Sequence, residues 1–340
     1  ADNNLGTVWS NAFSVDLNND STNESTSNQV FSVVQEPVVT ATKAIIGDPP
    51  DDAFDTVTYD IVITAGSAAN QSTAFDLNVV DLLDTDLLLD SVAIQVNPGY
   101  VAITSDSSTY SAGGPVNVVL NRLEPGDSVT IRIVATVLTS VSPGETIDNF
   151  ATITWTSLPG PQGTGGTTPG SSGDPTGERN GSGGTNDHTT PTNTVSFTII
   201  LPVPEKSIAG TSEPATSDTP DGSAGNERPV AIGEVVRYRL VAILPESTTI
   251  SLRMDDVLAA GIEFVPGTAR VSYLANTAPS LSGDFAGIQN ETTPTLPFPV
   301  SRISFDTVTR LLRFDFGSVI NNDGDADQER LILEFDVVVV

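Results

Sequence analysis

Apolar and polar residues alternate with a period of two over much of the chain. Asp55 to Ile63 reads Asp-Thr-Val-Thr-Tyr-Asp-Ile-Val-Ile. The same alternation runs through Phe75 to Leu83, Pro115 to Leu120, Ser128 to Leu138, Ile147 to Trp155 and Thr194 to Ile200. Side chains of a strand point to opposite faces in turn, so each segment predicts a half-buried strand. Gly, Pro, Asn and Asp punctuate the segments at short intervals. No stretch keeps a 3.6-residue period over three turns, and Ala215 to Ala224 reads as polar loop. The pattern predicts an all-β chain of antiparallel sandwiches.

The pattern also repeats. Val39-Thr-Ala-Thr-Lys43 matches Val203-Pro-Glu-Lys206, and Asp55 to Tyr59 matches Glu234 to Tyr238. Val80-Asp-Leu-Leu83 matches Asp255-Asp-Val-Leu258. The spacing is that of whole domains, which sets one sandwich at 37–200 and a second at 201–340. Within the first, 156–193 is rich in Gly, Thr, Pro and Ser and reads as an exposed excursion between two strands. The first copy continues beyond Leu138 through Pro143 to Ile153, whereas the second stops at Val340. The missing piece lies at the other end. Leu5 to Val15 matches Pro143 to Ile153, with Asn11 on Asn149, and Gln29 to Val34 matches Thr194 to Ile200. Residues 1–36 are therefore expected to complete a neighbouring domain like 201–340. The first residue is Ala rather than Met, as expected of a mature or excised segment.

Charge and composition narrow the chemistry. The chain has 340 residues, with 14 Lys plus Arg against 43 Asp plus Glu, a formal charge of −29. A surface this acidic offers no basic patch for nucleic acid. With no Cys, disulfides, thiol nucleophiles and thiolate metal sites are excluded, and one His leaves little for imidazole chemistry. No apolar run reaches the roughly 18 residues of a membrane helix. These features fit an exported protein that folds without disulfides. Phosphate loops, nucleophile elbows and zincin motifs are lacking, so enzymatic activity is not expected.

One constellation does carry chemistry. Lys occurs only at Lys43 and Lys206, at equivalent points of the repeat. A period of two puts Val39, Ala41, Lys43 and Ile45 on one face. It does the same for Phe75, Leu77, Val79, Asp81 and Leu83, and for Ile147, Asn149, Ala151, Ile153 and Trp155. Each set has one polar member on its apolar side. The second copy offers Leu252, Met254, Asp256 and Leu258, and the N-terminal segment Trp9, Asn11, Phe13 and Val15. A buried ammonium costs several kcal/mol unless paired, so Lys43, Asp81 and Asn149 are expected to meet, with Lys206, Asp256 and an incoming Asn11 as the second set. Burial lowers the Lys pKa and raises that of the Asp. A neutral amine can then attack the Asn carboxamide and release ammonia, leaving an isopeptide. The alternative is a buried hydrogen-bonded cluster with no covalent bond.

Several segments together resemble the bacterial surface repeat named domain of unknown function 11. They also resemble isopeptide-forming domains of fimbrial proteins. The segments are Val57 to Ile63, Asp81-Leu-Leu, Asp256-Val-Leu, Pro125 to Ile131, Gly144 to Thr152 and Arg179 to Asp187. The resemblance implies tandem immunoglobulin-like antiparallel β-sandwiches at a bacterial cell surface. It also implies Lys, acid and Asn roles for Lys43, Asp81 and Asn149.

Weaker signals remain. Asp323, Asp325 and Asp327 alternate in an acidic turn that suits Ca²⁺, though not with EF-hand spacing. Gly47 to Asp52 and Asp16 to Asp20 are lesser candidates of the same kind. His188 is expected to be an exposed loop residue, and Trp9 and Trp155 to be core. The leading functional expectation is a non-enzymatic building block of an extracellular fibre, sheath or surface layer, its tandem sandwiches joined head to tail to copies of itself either by strand complementation or by covalent continuity as one period of a longer array. The rivals are a stalk module of a surface adhesin and a carbohydrate-binding or hydrolytic domain.

Overall fold

The computed structural model describes residues 5–96, 104–106, 114–157, 188–213, 223, 225–275, 281–284, 288–324 and 329–340. The expected strands are present and the chain is all-β, with antiparallel sheets packed as sandwiches; a short 3-10 turn at Val300–Arg302 is the one helical element among the described residues. No helix among them is long and apolar enough to cross a membrane. Contacts divide the chain into two compact units, 1–48 with 58–135 and 148–196, and 49–57 with 136–147 and 197–340.

In the first sandwich, one sheet runs Val39–Ile45, Thr56–Ala65, Ser128–Val137, Leu87–Val96. The facing sheet runs Thr189–Pro191, Ala151–Thr156, Ala74–Leu82, Pro115–Leu123, Thr104–Asp106. Ile61 and Ile63 from one sheet and Leu77, Val79, Val118 and Leu120 from the other are fully buried. Each such side chain contributes about 1.5–3 kcal/mol. Alternation fails at one place. Phe75 was expected on the buried face, but Asp76 takes φ 48° and the register with Ala151–Thr156 shifts there. This bulge turns Phe75 half out and leaves Ala74 buried in its stead.

The second sandwich has a sheet ordered Val203–Thr211, Val235–Leu244, Glu329–Val339, Arg270–Leu274, Leu296–Pro297, with Ile262–Phe264 also on Glu329–Val339. Its core is aromatic. Phe314 stands edge-on to Phe264 and Phe298, and Phe298 to Phe316 with centroids 5.0 Å apart, an arrangement that suits the ring quadrupoles. The facing sheet is Ser247–Val257, Leu311–Asn321, Leu281–Gly283, with Ile303–Asp306 also on Leu311–Asn321.

The two sandwiches differ at one edge. Ala74–Leu82 is paired on both sides, by Pro115–Leu123 and by Ala151–Thr156. Its counterpart Ser247–Val257 is paired by Leu311–Asn321 alone among the described strands. A loop carbonyl, that of Val141, meets the open edge only at Thr248 N–H.

Residues 5–34 form a separate hairpin. Val8–Asn11 pairs Val30–Val33, and Ser14–Val15 pairs Ser25–Thr26. Its apolar residues are uncovered: Trp9 is 50% exposed, Phe13 69% and Phe31 66%. The expectation that Trp9 is core therefore fails, because its hairpin leaves the side chain half exposed among the described residues. Trp155 is buried as expected, and His188, expected to be exposed, is buried and stacks on its indole with ring centroids 5.5 Å apart.

Candidate functional site

Lys43 lies mid-strand in Val39–Ile45, facing inward as alternation requires. Its side chain is fully buried and its ammonium is paired with the fully buried Asp81 carboxylate. Asp81 comes from Ala74–Leu82 in the opposite sheet, so the pair spans the sandwich. Asn149, the last residue of Thr146–Asn149, is 1% exposed. Its carboxamide lies against Asp81 and the Tyr59 hydroxyl closely enough to bear on the ionisation of both. Neither of its amide atoms makes a hydrogen bond of ordinary geometry.

The electrostatics follow from burial. Desolvation pushes the Lys43 ammonium below the ordinary lysine range, and the charge of Asp81 opposes it. Desolvation pushes Asp81 up, with Lys43 and Asn149 opposing. The Tyr59 phenol is also pushed up, first by burial and then by Asp81. Each shift favours a neutral form, the form an amine needs to act as a nucleophile and an acid needs to donate a hydrogen bond.

Sequence reasoning missed two members of this site. Lys43 Nζ stands 4.4 Å from the centroid of Tyr59, a cation–π contact. The Asn193 carboxamide brackets the Lys43 backbone, accepting from its N–H and donating to its C=O, each at 2.9 Å. Tyr59 was legible in principle, since Tyr238 holds the same place in the second copy.

That second copy repeats the arrangement in an open form. Lys206 Nζ meets both oxygens of Asp256 at 2.7 Å and stands 4.4 Å from the Tyr238 centroid. Yet the Lys206 side chain is 44% exposed, against none for Lys43. A cavity of about 330 Å³ opens beside the pair, lined by Pro204, Lys206, Leu240, Leu252, Met254 and Asp256 among others. No Asn hydrogen-bonds Lys206 Nζ among the described residues. Asn11, expected to serve this set, is exposed on the N-terminal hairpin.

That hairpin copies the one that closes the first sandwich. Val8–Asn11 and Val30–Val33 correspond to Thr146–Asn149 and Val195–Thr198, with the same bounds. Ser14 pairs Thr26 as Thr152 pairs Pro191, and Val15 pairs Ser25 as Ile153 pairs Thr190. Phe13 N–H donates to Ser27 Oγ as Ala151 N–H donates to Thr192 Oγ1. Gly6 and Gly144, at φ 81° and 79°, donate to the Val34 and Ile199 carbonyls at 2.9 Å. Two stretches of different sequence thus hold one geometry, one buried and one bare.

Of the acidic turn, Asp323 is buried and its N–H donates to Asn321 Oδ1, while Asp325 and Asp327 lie outside the described residues. A different acidic group is more crowded. Asp51, Asp52 and Asp55 bring carboxylate oxygens within 4.8 Å of one another. Glu246 contacts Asp52, and burial followed by that contact pushes its carboxyl up to about 9.

No family model matches the sequence, and no curated protein matches it. Similar solved structures include the C-terminal domain of the Streptococcus agalactiae AgI/II polypeptide BspA. It is 10% identical over 88% of this chain and 91% of that one, with a TM-score of 0.30. The full-length major pilin SpaD of Corynebacterium diphtheriae is 13% identical over 62% and 57%, TM-score 0.33. BcpA, the major pilin subunit of Bacillus cereus, is 12% identical over 70% and 67%, TM-score 0.31. At this level the likeness assigns neither function nor partner to the chain.

Proposed function

We propose that this chain is a structural, non-enzymatic building block of an extracellular fibre, sheath or surface layer, joined head to tail by strand complementation. The hairpin of 5–34 from one copy closes the open edge at Ser247–Val257 of the next. The observation that carries this is the match just described: a bare replica of the closing hairpin in a chain whose second sandwich has that edge unpaired. Seated as its counterpart is seated, the replica buries Trp9, Phe13 and Val15, whose equivalents Ile147, Ala151 and Ile153 are buried. It also pairs an edge that otherwise invites aggregation.

The same seating brings Asn11 to Lys206 and Asp256, as Asn149 is brought to Lys43 and Asp81. At each site the amine nitrogen attacks the Asn carboxamide carbon. The new C–N bond replaces the bond to the amide nitrogen, which takes up a proton and leaves as ammonia. At the first site Asp81, its protonated form favoured by burial, hydrogen-bonds the carbonyl and relays the proton, and Asp256 holds the equivalent place at the second. The first site then braces one sandwich, and the second joins copies covalently. Such links serve a chain without Cys where disulfides would otherwise be placed.

Deletion of residues 1–36 tests the reading. The deleted chain should stay monomeric by sedimentation, and an added 1–36 peptide should bind it with one-to-one stoichiometry. A deleted chain that still forms the polymers of the full chain sinks strand complementation, and a full chain that stays an extended monomer favours a stalk module of a surface adhesin.

A further inference from the structure

The crowded carboxylates of the second unit are separate from the lysine sites. We propose that Asp51, Asp52, Asp55 and Glu246 form a binding site for a divalent cation of the calcium class. The three aspartates lie on the loop before Thr56–Ala65, and their carboxylate oxygens cluster within 4.8 Å. Glu246 sits in the turn between Val235–Leu244 and Ser247–Val257 and is 4% exposed. Its side chain faces Asp52, yet its buried Oε1 accepts no hydrogen bond. Backbone bonds fix the two segments face to face, Ala53 N–H donating to the Glu246 carbonyl at 2.8 Å.

Nothing basic balances this group. The charged neighbours acting on Asp51, Asp52 and Glu246 are Asp55, one another and Glu329, all acids. Among the described residues, none of the four joins an ion pair. Asp51 is exposed, but Asp52 is half-buried and Glu246 buried, and like charges so placed persist only with a counter-ion or bound protons. A cavity of about 20 Å³ lies beside Asp52 and Glu246, bounded otherwise by Ile200, Leu201, Val203 and neighbouring residues. That is room for one atom-sized guest. The donors are all hard oxygens, with no imidazole or thiolate, which favours calcium over transition metals. Their placement on a loop and a turn suits its flexible coordination better than the strict octahedron of magnesium.

The full chain, stripped with chelator and titrated with CaCl₂ by calorimetry and thermal melting, tests the site. The stripped chain should bind calcium and melt higher with it. Glu246→Gln and Asp52→Asn should each weaken that binding at least about tenfold. Without calcium, Glu246→Gln should melt at or above the parent, because the amide keeps the shape of the side chain and takes one acid out of a crowded group. Failure of the parent to bind, or calcium affinity unchanged in both variants, as binding at Asp16–Glu24 or the 321–327 turn would give, overturns the proposal. So does a Glu246→Gln chain that melts well below the parent without calcium, which would make Glu246 a structural hydrogen-bonding residue. None of these outcomes bears on strand complementation.

Discussion

Asn193 holds Lys43 by its backbone at two points, N–H and C=O, each 2.9 Å from the carboxamide. The contact lies on the edge of the Val39–Ile45 strand away from Thr56–Ala65, and it fixes how far along that strand the closing hairpin sits. Asn28 stands two residues before Val30 as Asn193 stands two before Val195. It is therefore expected to bracket Lys206 in the same way when the N-terminal hairpin docks. Asn193→Ala should destabilise the first sandwich by about 1–2 kcal/mol, read from its melting curve. Asn28→Ala should leave monomer melting unchanged and shorten the polymers. Equal polymer length in both chains would show that Asn28 sets no register.

The covalent step leaves a mass signature. Each isopeptide lowers the intact mass by about 17 Da, one ammonia. Monomer from the full chain should show one such loss, abolished by Lys43→Ala or Asn149→Ala. Polymers boiled in detergent should run as a ladder. Asn11→Ala should collapse the ladder to monomer while polymers still form in its absence of detergent. Unreduced mass together with no ladder would leave both sites as hydrogen-bonded clusters.

Removing Lys43 should make stability depend on pH. In Lys43→Ala, Asp81 stays buried without its ammonium, so its carboxyl, already raised by burial, rises further. A raised folded-state value means the protonated acid is preferred in the fold. Its stabilisation is complete below the ordinary carboxylate value of 3.8 and is lost as pH climbs through the folded-state value. The gap in melting temperature between parent and variant should therefore widen as pH climbs from about 4 upward, toward the cost of an unpaired buried charge, about 3–5 kcal/mol. A gap independent of pH would show that Asp81 is solvated in the variant.

Tryptophan fluorescence separates docking from folding. Trp9 is 50% exposed and Trp155 is buried against His188. In a Trp155→Phe chain the emission reports Trp9 alone. It should shift to the blue on polymerisation, and Trp9→Ala should raise the concentration needed to assemble. Emission unchanged between monomer and polymer would place Trp9 outside the contact.

Much of this was legible in the alternation itself. The period of two placed Lys43, Asp81 and Asn149 on inward faces, and the burial of all three follows from strand geometry. The repeat likewise showed that residues 5–34 resemble 143–200, because matching turn residues and matching apolar spacing specify matching hairpins. What sequence could not supply was long-range company. The ring of Tyr59 over Lys43 and the bracket from Asn193 join residues far apart in the chain, which no local pattern encodes. The bulge at Asp76 depends on a positive φ that alternation does not announce, so alternation alone puts Phe75 on the wrong face. The polar neighbours of His188 in sequence point to exposure, whereas its burial comes from stacking on Trp155 of the next strand. The gathering of Glu246 against Asp51, Asp52 and Asp55 was invisible for the same reason: a turn and a loop nearly two hundred residues apart in the chain share one backbone hydrogen bond only once the sheets are packed. Sequence determined which face each residue takes within its own strand. Tertiary packing alone decided which faces meet, and left one hairpin bare and one edge open.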